Sequence, residues 1–341
     1  MRRLAILLTL LLVVVAAAAG AAAFAAWERI HAPHRGFQDA EQFVDIPAGT
    51  GTAAIGRRLV QAGVVRDTFT FRAALWWSGR ARALQAGEYR FDRPIAAVEV
   101  IDRLARGDVY ARRLTFPEGL TIQEMARLYE AREFGAAASF LEAARDAALI
   151  HDLDPAAPDL EGYLFPDTYA LPRGTPATRL VGLMMERFRA TFDADMQRQA
   201  REQGLTTREV VTLASLVEKE TARPDERPLV AAVFRNRLAR GMGLQADPTV
   251  IYALQQAGSY DGNIRRQDLA IDSPYNTYRY AGLPPGPIAA PGRAALEASL
   301  LPARVSYLYF VSRNDGSHVF ATTLAEHNRN VRQFQILYFR R

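Results

Sequence analysis

Hydrophobic positions along the chain follow three different rhythms. The first is an unbroken run, Leu4 to Trp27, built from Leu, Val, Ala, Ile, Gly and Phe with one Thr and no charge. Its 24 residues exceed the roughly 20 needed to cross a bilayer core. Arg2 and Arg3 precede it, which favours a cytoplasmic start, and Trp27 is of the type that sits at a membrane interface. The reading is therefore a retained transmembrane anchor. A cleaved signal peptide is the alternative, since the Ala-rich second half offers small-residue cleavage sites. Either way the rest of the chain is exported.

The second rhythm mixes short alternating stretches with helical ones. After a polar linker, Phe43 to Leu59 reads as a strand, a turn at Gly49 and a helix carried by Ala54, Ile55, Leu59 and Ala62. Gly87 to Phe91 is a second strand, followed by a helix through Ile95, Val98, Ile101 and Leu104 that closes at Gly107. Ala111 to Gly119 is a third strand leading into a helix with Ile122, Met125 and Leu128. The segments Ile46-Pro47-Ala48-Gly49 and Phe116-Pro117-Glu118-Gly119, each opening an amphipathic helix, form a weak repeat of about 70 residues. Glu133 to Pro158 is Ala-rich helix and loop without candidate chemistry, and the Pro- and Gly-marked stretch Leu160 to Pro176 reads as a domain junction.

The third rhythm, from Ala177 onward, is of long amphipathic helices, then a hairpin turning at Asn314-Asp315-Gly316, then a last helix opened by Thr323-x-x-Glu326. These patterns predict an α+β protein: a start at 1–3, a transmembrane helix at 4–27, a linker at 28–40, a small αβ subdomain at 41–115, a connecting αβ region at 116–175 and a mixed helical/β-hairpin domain at 176–341.

Composition narrows the function. The net charge is +5, and the arginines are scattered, so no nucleic-acid groove is expected. Cysteine is absent, which excludes a disulfide framework and any thiolate nucleophile or metal site. The five histidines show no ligand spacing, so neither a metal nor another cofactor is expected.

Thr206-x-x-Glu209 is a capping box opening a helix whose buried face is Val210, Leu213, Ala214 and Val217. Glu218 falls on the border of that stripe, and Glu220 should face away. A carboxyl against apolar surface is raised in pKa, the property wanted in a general acid. An ordinary border glutamate gives the same pattern, and helix periodicity alone favours it. The next helix, about Asp225 to Arg240, reads as core packing. Asp247 stands directly before Pro248, so it serves as an N-cap, a substrate contact or both. Gln245, just ahead, carries no independent signal.

Asp272 to Gly292 predicts a long irregular loop stiffened by prolines. Its Tyr275, Asn276 and Tyr278 offer flat faces with polar ends, suited to a sugar ring; a packed Ω-loop is the alternative. His318 lies on the second strand of the hairpin, where a lone histidine is more often structural.

The ordered segments LEGYLFPDTY, ASLVEKET, FRNRL, GLQADPTVIYAL, SPYNTY, GLPPGPIAAPG, YLYFV and HVFATTLAEHN closely resemble the endolytic murein transglycosylase (YceG-like) family. The resemblance implies a peptidoglycan lytic transglycosylase whose acid is the first Glu of VEKET, here Glu218, and a LysM-like binding subdomain between anchor and catalytic region. Gln245, Asp247, Tyr252, Tyr275, Asn276, Tyr278 and His318 stand beside Glu218 as the substrate-binding candidates. The expected location is the cell inner membrane, single-pass, with a periplasmic catalytic domain. Expected partners are glycan strands, the membrane and peptidoglycan synthases (penicillin-binding proteins). A muramidase in which Asp247 assists a water, and a non-catalytic peptidoglycan-binding scaffold, are the competing readings.

Overall fold

A computed structural model describes residues 2–338; Met1 of the expected cytoplasmic start and residues 339–341 of the expected catalytic domain lie outside the described residues. The uncharged run folds as one helix, α1 (Arg2–His31). From Ile6 to His31 it is long and apolar enough to cross a membrane. The chain is mixed α+β and divides into two compact units, one up to Arg112 with Ala170–Arg173, the other comprising Arg113–Tyr169 and Gly174 onward.

In the first unit, β1 (Gln42–Ile46) leads into α2 (Thr52–Gln61) and α3 (Thr68–Ser78), then β2 (Gly87–Phe91) and α4 (Ala97–Arg106). The two strands run antiparallel, with Val44 opposite Tyr89 and Gln42 opposite Phe91. Val44, Ile46, Tyr89 and Phe91 point to one face and are buried, while Phe43, Asp45 and Arg90 between them are exposed, as a period of two requires. The buried face packs on Ile55, Leu59, Val100, Ile101 and Leu104. α3 was not legible from periodicity. It is capped by Asp67, whose side chain accepts from the Thr70 N–H, and stops at Gly79.

The second unit takes in the end of β3 (Ala111–Thr115), where Phe116 donates to the Asp167 carbonyl beside β4 (Thr168–Pro172). Helices α5 (Ile122–Ala131), α6 (Ala137–Ala144), α7 (Ala177–Thr191), α8 (Ala194–Glu202), α9 (Thr207–Glu220), α10 (Arg227–Leu238), α11 (Asp247–Gln256) and α12 (Arg293–Leu300) follow, then the hairpin β5 (Tyr309–Ser312) and β6 (His318–Ala321) and α13 (Leu324–Val331). The weak repeat is real at the level of turns. Gly49 and Gly119 both sit at positive φ, 80° and 79°, a conformation that favours glycine, and a helix begins three residues after each.

Two expectations change. Leu160 to Pro176 is no simple junction: Leu160, Tyr163 and Leu164 are core residues of the second unit, and only its 170–173 strand residues pass to the first. And α9 has no single apolar stripe. All eight residues from Val210 to Val217 are buried, because α8, α10, α11 and α12 all pack against it; a helix covered on every side is an interior helix.

Leu59 has no exposed surface. Leu59→Ala should destabilise the first unit by about 2–5 kcal/mol through lost contacts and the cavity left behind, read as faster amide hydrogen exchange across residues 42–106 in detergent, with exchange across residues 207–238 unchanged.

Candidate active site

Glu218 stands one residue beyond the buried run of α9, and its side chain is 5% exposed. A carboxylate so poorly hydrated needs partners. It has two: Arg227 Nη2 lies 3.0 Å from Oε1, and the Gly292 N–H donates to Oε2 at 2.9 Å. The environment is therefore a guanidinium and a backbone donor, not the apolar wall expected from the sequence. Arg227 opens α10, where a cation meets the wrong end of the helix dipole, and an adjacent carboxylate offsets that. The helix read as core packing thus contributes a site residue.

A second carboxyl shares the same guanidinium. Glu118 Oε2 lies 3.5 Å from Arg227 Nη2, and its side chain is 46% exposed, the open side of the cluster. Burial pushes Glu118 up, the charge of Glu218 pushes it further, and Arg227 partly offsets both. A Cβ at Gly292 would fall 1.8 Å from Glu118 Oε1, so a side chain there would displace the Glu118 carboxyl from its present place. Gly119 donates to the Ala290 carbonyl at 2.8 Å, and Ala290 donates to Leu120 at 2.8 Å. Ile288 donates to Ser215 Oγ of α9 at 3.1 Å. The end of the long loop is thus stitched to both the Glu118 turn and α9. The loop is irregular throughout, as expected, and its final third is packed.

Most of the other candidates gather elsewhere in this unit. Gln245, Asp247, Tyr278 and His318 line a cavity of about 390 Å³ together with Glu220 and Arg237. Gln245 is held at a positive φ of 51°. Asp247 does not cap its helix: Ala246 holds the N-cap position without a side-chain bond, and Thr249 Oγ1 bonds the Ala246 carbonyl instead. Asp247 Oδ1 accepts the Tyr278 hydroxyl at 2.6 Å, and burial and this bond raise the Tyr278 phenol. His318 is oriented by Glu226, whose Oε2 lies 2.6 Å from Nδ1. Burial works to raise Glu226, but the ring and backbone N–H of His318 outweigh it and hold the carboxyl below its ordinary range. Arg237 spends its donors on the carbonyls of Leu308, Gly243 and Leu244, and burial lowers its pKa.

Glu220 does turn away from Glu218, yet it lines this cavity instead of facing open solvent. Burial, and then the charge of Asp247, push it up to about 8. Tyr252 and Tyr275 form a separate pair, ring centroids 4.8 Å apart, with the Tyr252 hydroxyl 3.5 Å from Glu161. Glu161 is buried and pushed to about 8, chiefly by that burial. Asn276 is a correction: it is fully buried, and its amide donates to the Leu269 and Ile271 carbonyls. It holds the loop's shape and presents no surface to a sugar. Among the described residues no group of His, Asp or Glu is placed to hold a metal.

Because folded Glu220 holds its proton to about pH 8 against 4.5 for the free side chain, its contribution to stability is full below about pH 4.5 and is lost as pH rises toward 8. Glu220→Gln should flatten this decline by up to about 1.4 kcal/mol per pH unit, measured as unfolding midpoints from pH 5 to 9. Glu161 should keep part of the slope.

Residues 44–333 match the YceG-like family. The chain is 33% identical over 303 residues to the endolytic murein transglycosylase of Bacillus subtilis, covering 84% of this chain and 82% of that protein. It is 32% identical over 323 residues to that of Streptococcus pneumoniae D39, covering 84% of this chain and 57% of that longer protein. The crystal structure of a yceG-like protein from Listeria monocytogenes aligns with 86% of this chain and 99% of its own, at 31% identity and a TM-score of 0.58. With the fold, the capped interior helix and the segments around Glu218 all accounted for, the chain belongs to the YceG-like family.

Proposed function

We propose that this protein is a membrane-anchored endolytic peptidoglycan lytic transglycosylase with Glu218 as its acid and base. The observation that carries the proposal is the nearly buried Glu218 carboxyl, fixed between Arg227 and the Gly292 N–H in a chain whose relatives bear the name endolytic murein transglycosylase. In this mechanism Glu218 gives its proton to the glycosidic oxygen between MurNAc and GlcNAc. As that bond breaks, an oxocarbenium-like centre develops at the MurNAc anomeric carbon. The 6-hydroxyl of the same sugar attacks, closing a 1,6-anhydro ring, and its proton returns to Glu218. No water and no cofactor are consumed. Arg227 positions the carboxyl and stabilises it when it is charged.

In this reading α1 is a single-pass anchor in the cell inner membrane, its start cytoplasmic and both units periplasmic, next to nascent glycan strands and their synthases. The first unit acts as a LysM-like glycan-binding module, a role its two helices between antiparallel strands support. Gln245, Asp247, Tyr278 and His318 contact the strand along the cavity they share, and Tyr252 and Tyr275 buttress the loop behind it.

A second reading makes Glu220 the acid, because its carboxyl is raised to about 8 and faces the cavity beside Asp247. With Asp247 activating a water, that pair would give muramidase chemistry. Product analysis on isolated sacculi separates the two. Glu218→Gln should keep the fold, since an amide oxygen can still accept one of the two bonds, and should lower release of anhydro-muropeptides by about 10²–10⁴-fold. Glu220→Gln should retain most of it. The reverse pattern, or products heavier by one water, hands the role to Glu220. Undiminished cellular function of Glu218→Gln would point to a scaffold instead.

A further inference from the structure

One face of the first unit is apolar where water would be expected. α3 buries Thr70, Phe71 and Ala74. On the opposite side, seven residues apart, stand Phe69 at 64% exposure and Trp76 at 82%, with Trp77 at 56% on the border of the two faces. Two of the chain's three tryptophans are spent on this exposed surface. Exposed arginines flank them, Arg66 just before the helix and Arg72 within it. Aromatic side chains on the outer face of a short helix, bordered by arginine, are the composition of a segment that lies in the headgroup layer of a bilayer.

The place of α3 in its unit supports that occupant over any other. α1 and α3 pack together. Arg29, in the last turn of α1, pairs with Asp67 and donates to Thr70 Oγ1 at 2.9 Å. At the other end of α3, Trp77 meets His31 with ring centroids 6.1 Å apart, and His31 in turn lies 4.5 Å from Trp27. Both ends of α3 are therefore tied to the final turn of α1, which fixes α3 at the height where the apolar run stops. Phe69 and Arg66 line one groove with Ala22, Ala25 and Ala26, residues inside the apolar run itself. The run from Leu4 to Trp27 rises about 36 Å at 1.5 Å per residue, more than a hydrocarbon core of about 30 Å, so its end lies in the headgroup layer.

We propose that the Phe69, Trp76 and Trp77 face of α3 inserts into the outer interfacial layer of the same bilayer that α1 enters, seating the first unit on the membrane surface with Arg66 and Arg72 against anionic headgroups. This rests on the reading of α1 as a retained anchor. The occupant is lipid, because the patch continues the lipid-facing surface of α1; a second copy of the chain or another protein would have no reason to follow that level.

The three tryptophans make the test direct. The full chain, as Trp27→Phe, leaves only Trp76 and Trp77 to emit. It would be reconstituted into phosphatidylcholine–phosphatidylglycerol vesicles whose acyl chains carry bromine near the headgroup end. The expected result is blue-shifted emission, quenched by at least half by the brominated lipid and little affected by aqueous acrylamide. Vesicle flotation is run on the same samples. A chain that floats yet emits as water-exposed tryptophan, open to acrylamide and indifferent to bromine, overturns this inference and leaves the anchor standing. A chain protected from both quenchers has the face covered by protein, which also overturns it. If the chain does not float, the anchor reading fails and takes the inference with it.

Discussion

The guanidinium of Arg227 is the constraint around which the second unit is organised. A carboxylate at the end of an interior helix has lost most of its water, and the cost of burying an isolated charge is large enough that the fold must answer it. The answer draws together four pieces of chain: the end of α9 with Glu218, the start of α10 with Arg227, the turn carrying Glu118, and the loop end at Gly292. Each is held in turn by ordinary backbone bonds, Gly119 to Ala290 and Ala290 to Leu120. Removing the arginine would leave two carboxyls facing each other without a cation, which is why a buried pair of this kind is costly to break although it contributes little net stability over an apolar replacement.

Several signals whose cause is local are legible in the sequence, although Asp247 before Pro248 has the pattern of an N-cap and does not cap its helix. Gly107, Thr206 with Glu209, and the Asn314 to Gly316 turn act through residues within four positions of themselves, and the structure has the helix end, the capping box and the hairpin there. Glu118 was invisible for the opposite reason. Its turn was recognised as a repeat of the one at Gly49, but the first copy has Ala48 at the matching place, and nothing in the turn's own chemistry distinguishes a carboxyl that meets Arg227 from one that meets water. Arg227 did leave a trace: a cation in the first turn of a helix violates the dipole preference, and such violations mark sites where tertiary partners decide. The structural role of Asn276 is not legible from sequence, because Tyr and Asn in an irregular loop look alike whether they face a ligand or hold the loop together.

The two acids of the VEKET segment show how little separation in sequence is needed to make different chemistry. Glu218 and Glu220 lie about 200° apart around one helix. One is held by a cation and a backbone N–H, and the other borders a cavity where burial and Asp247 keep its proton on. In a helix covered on all sides, every direction leads to a different neighbour, so the assignment of roles depends on packing that periodicity cannot report.

Geometry also bears on which reaction the Glu218 cluster can support. Hydrolysis at an anomeric carbon uses two carboxyls with the sugar, or the sugar and a water, between them. Glu118 and Glu218 both reach the same Arg227 nitrogen, at 3.5 and 3.0 Å, so the space between them is occupied by a guanidinium. A cluster built this way is compatible with the proposed reaction, in which one carboxyl both gives and takes the proton and the nucleophile comes from the substrate. Glu118 is a neighbour that feels the charge of Glu218, and it forms the exposed edge of the cluster.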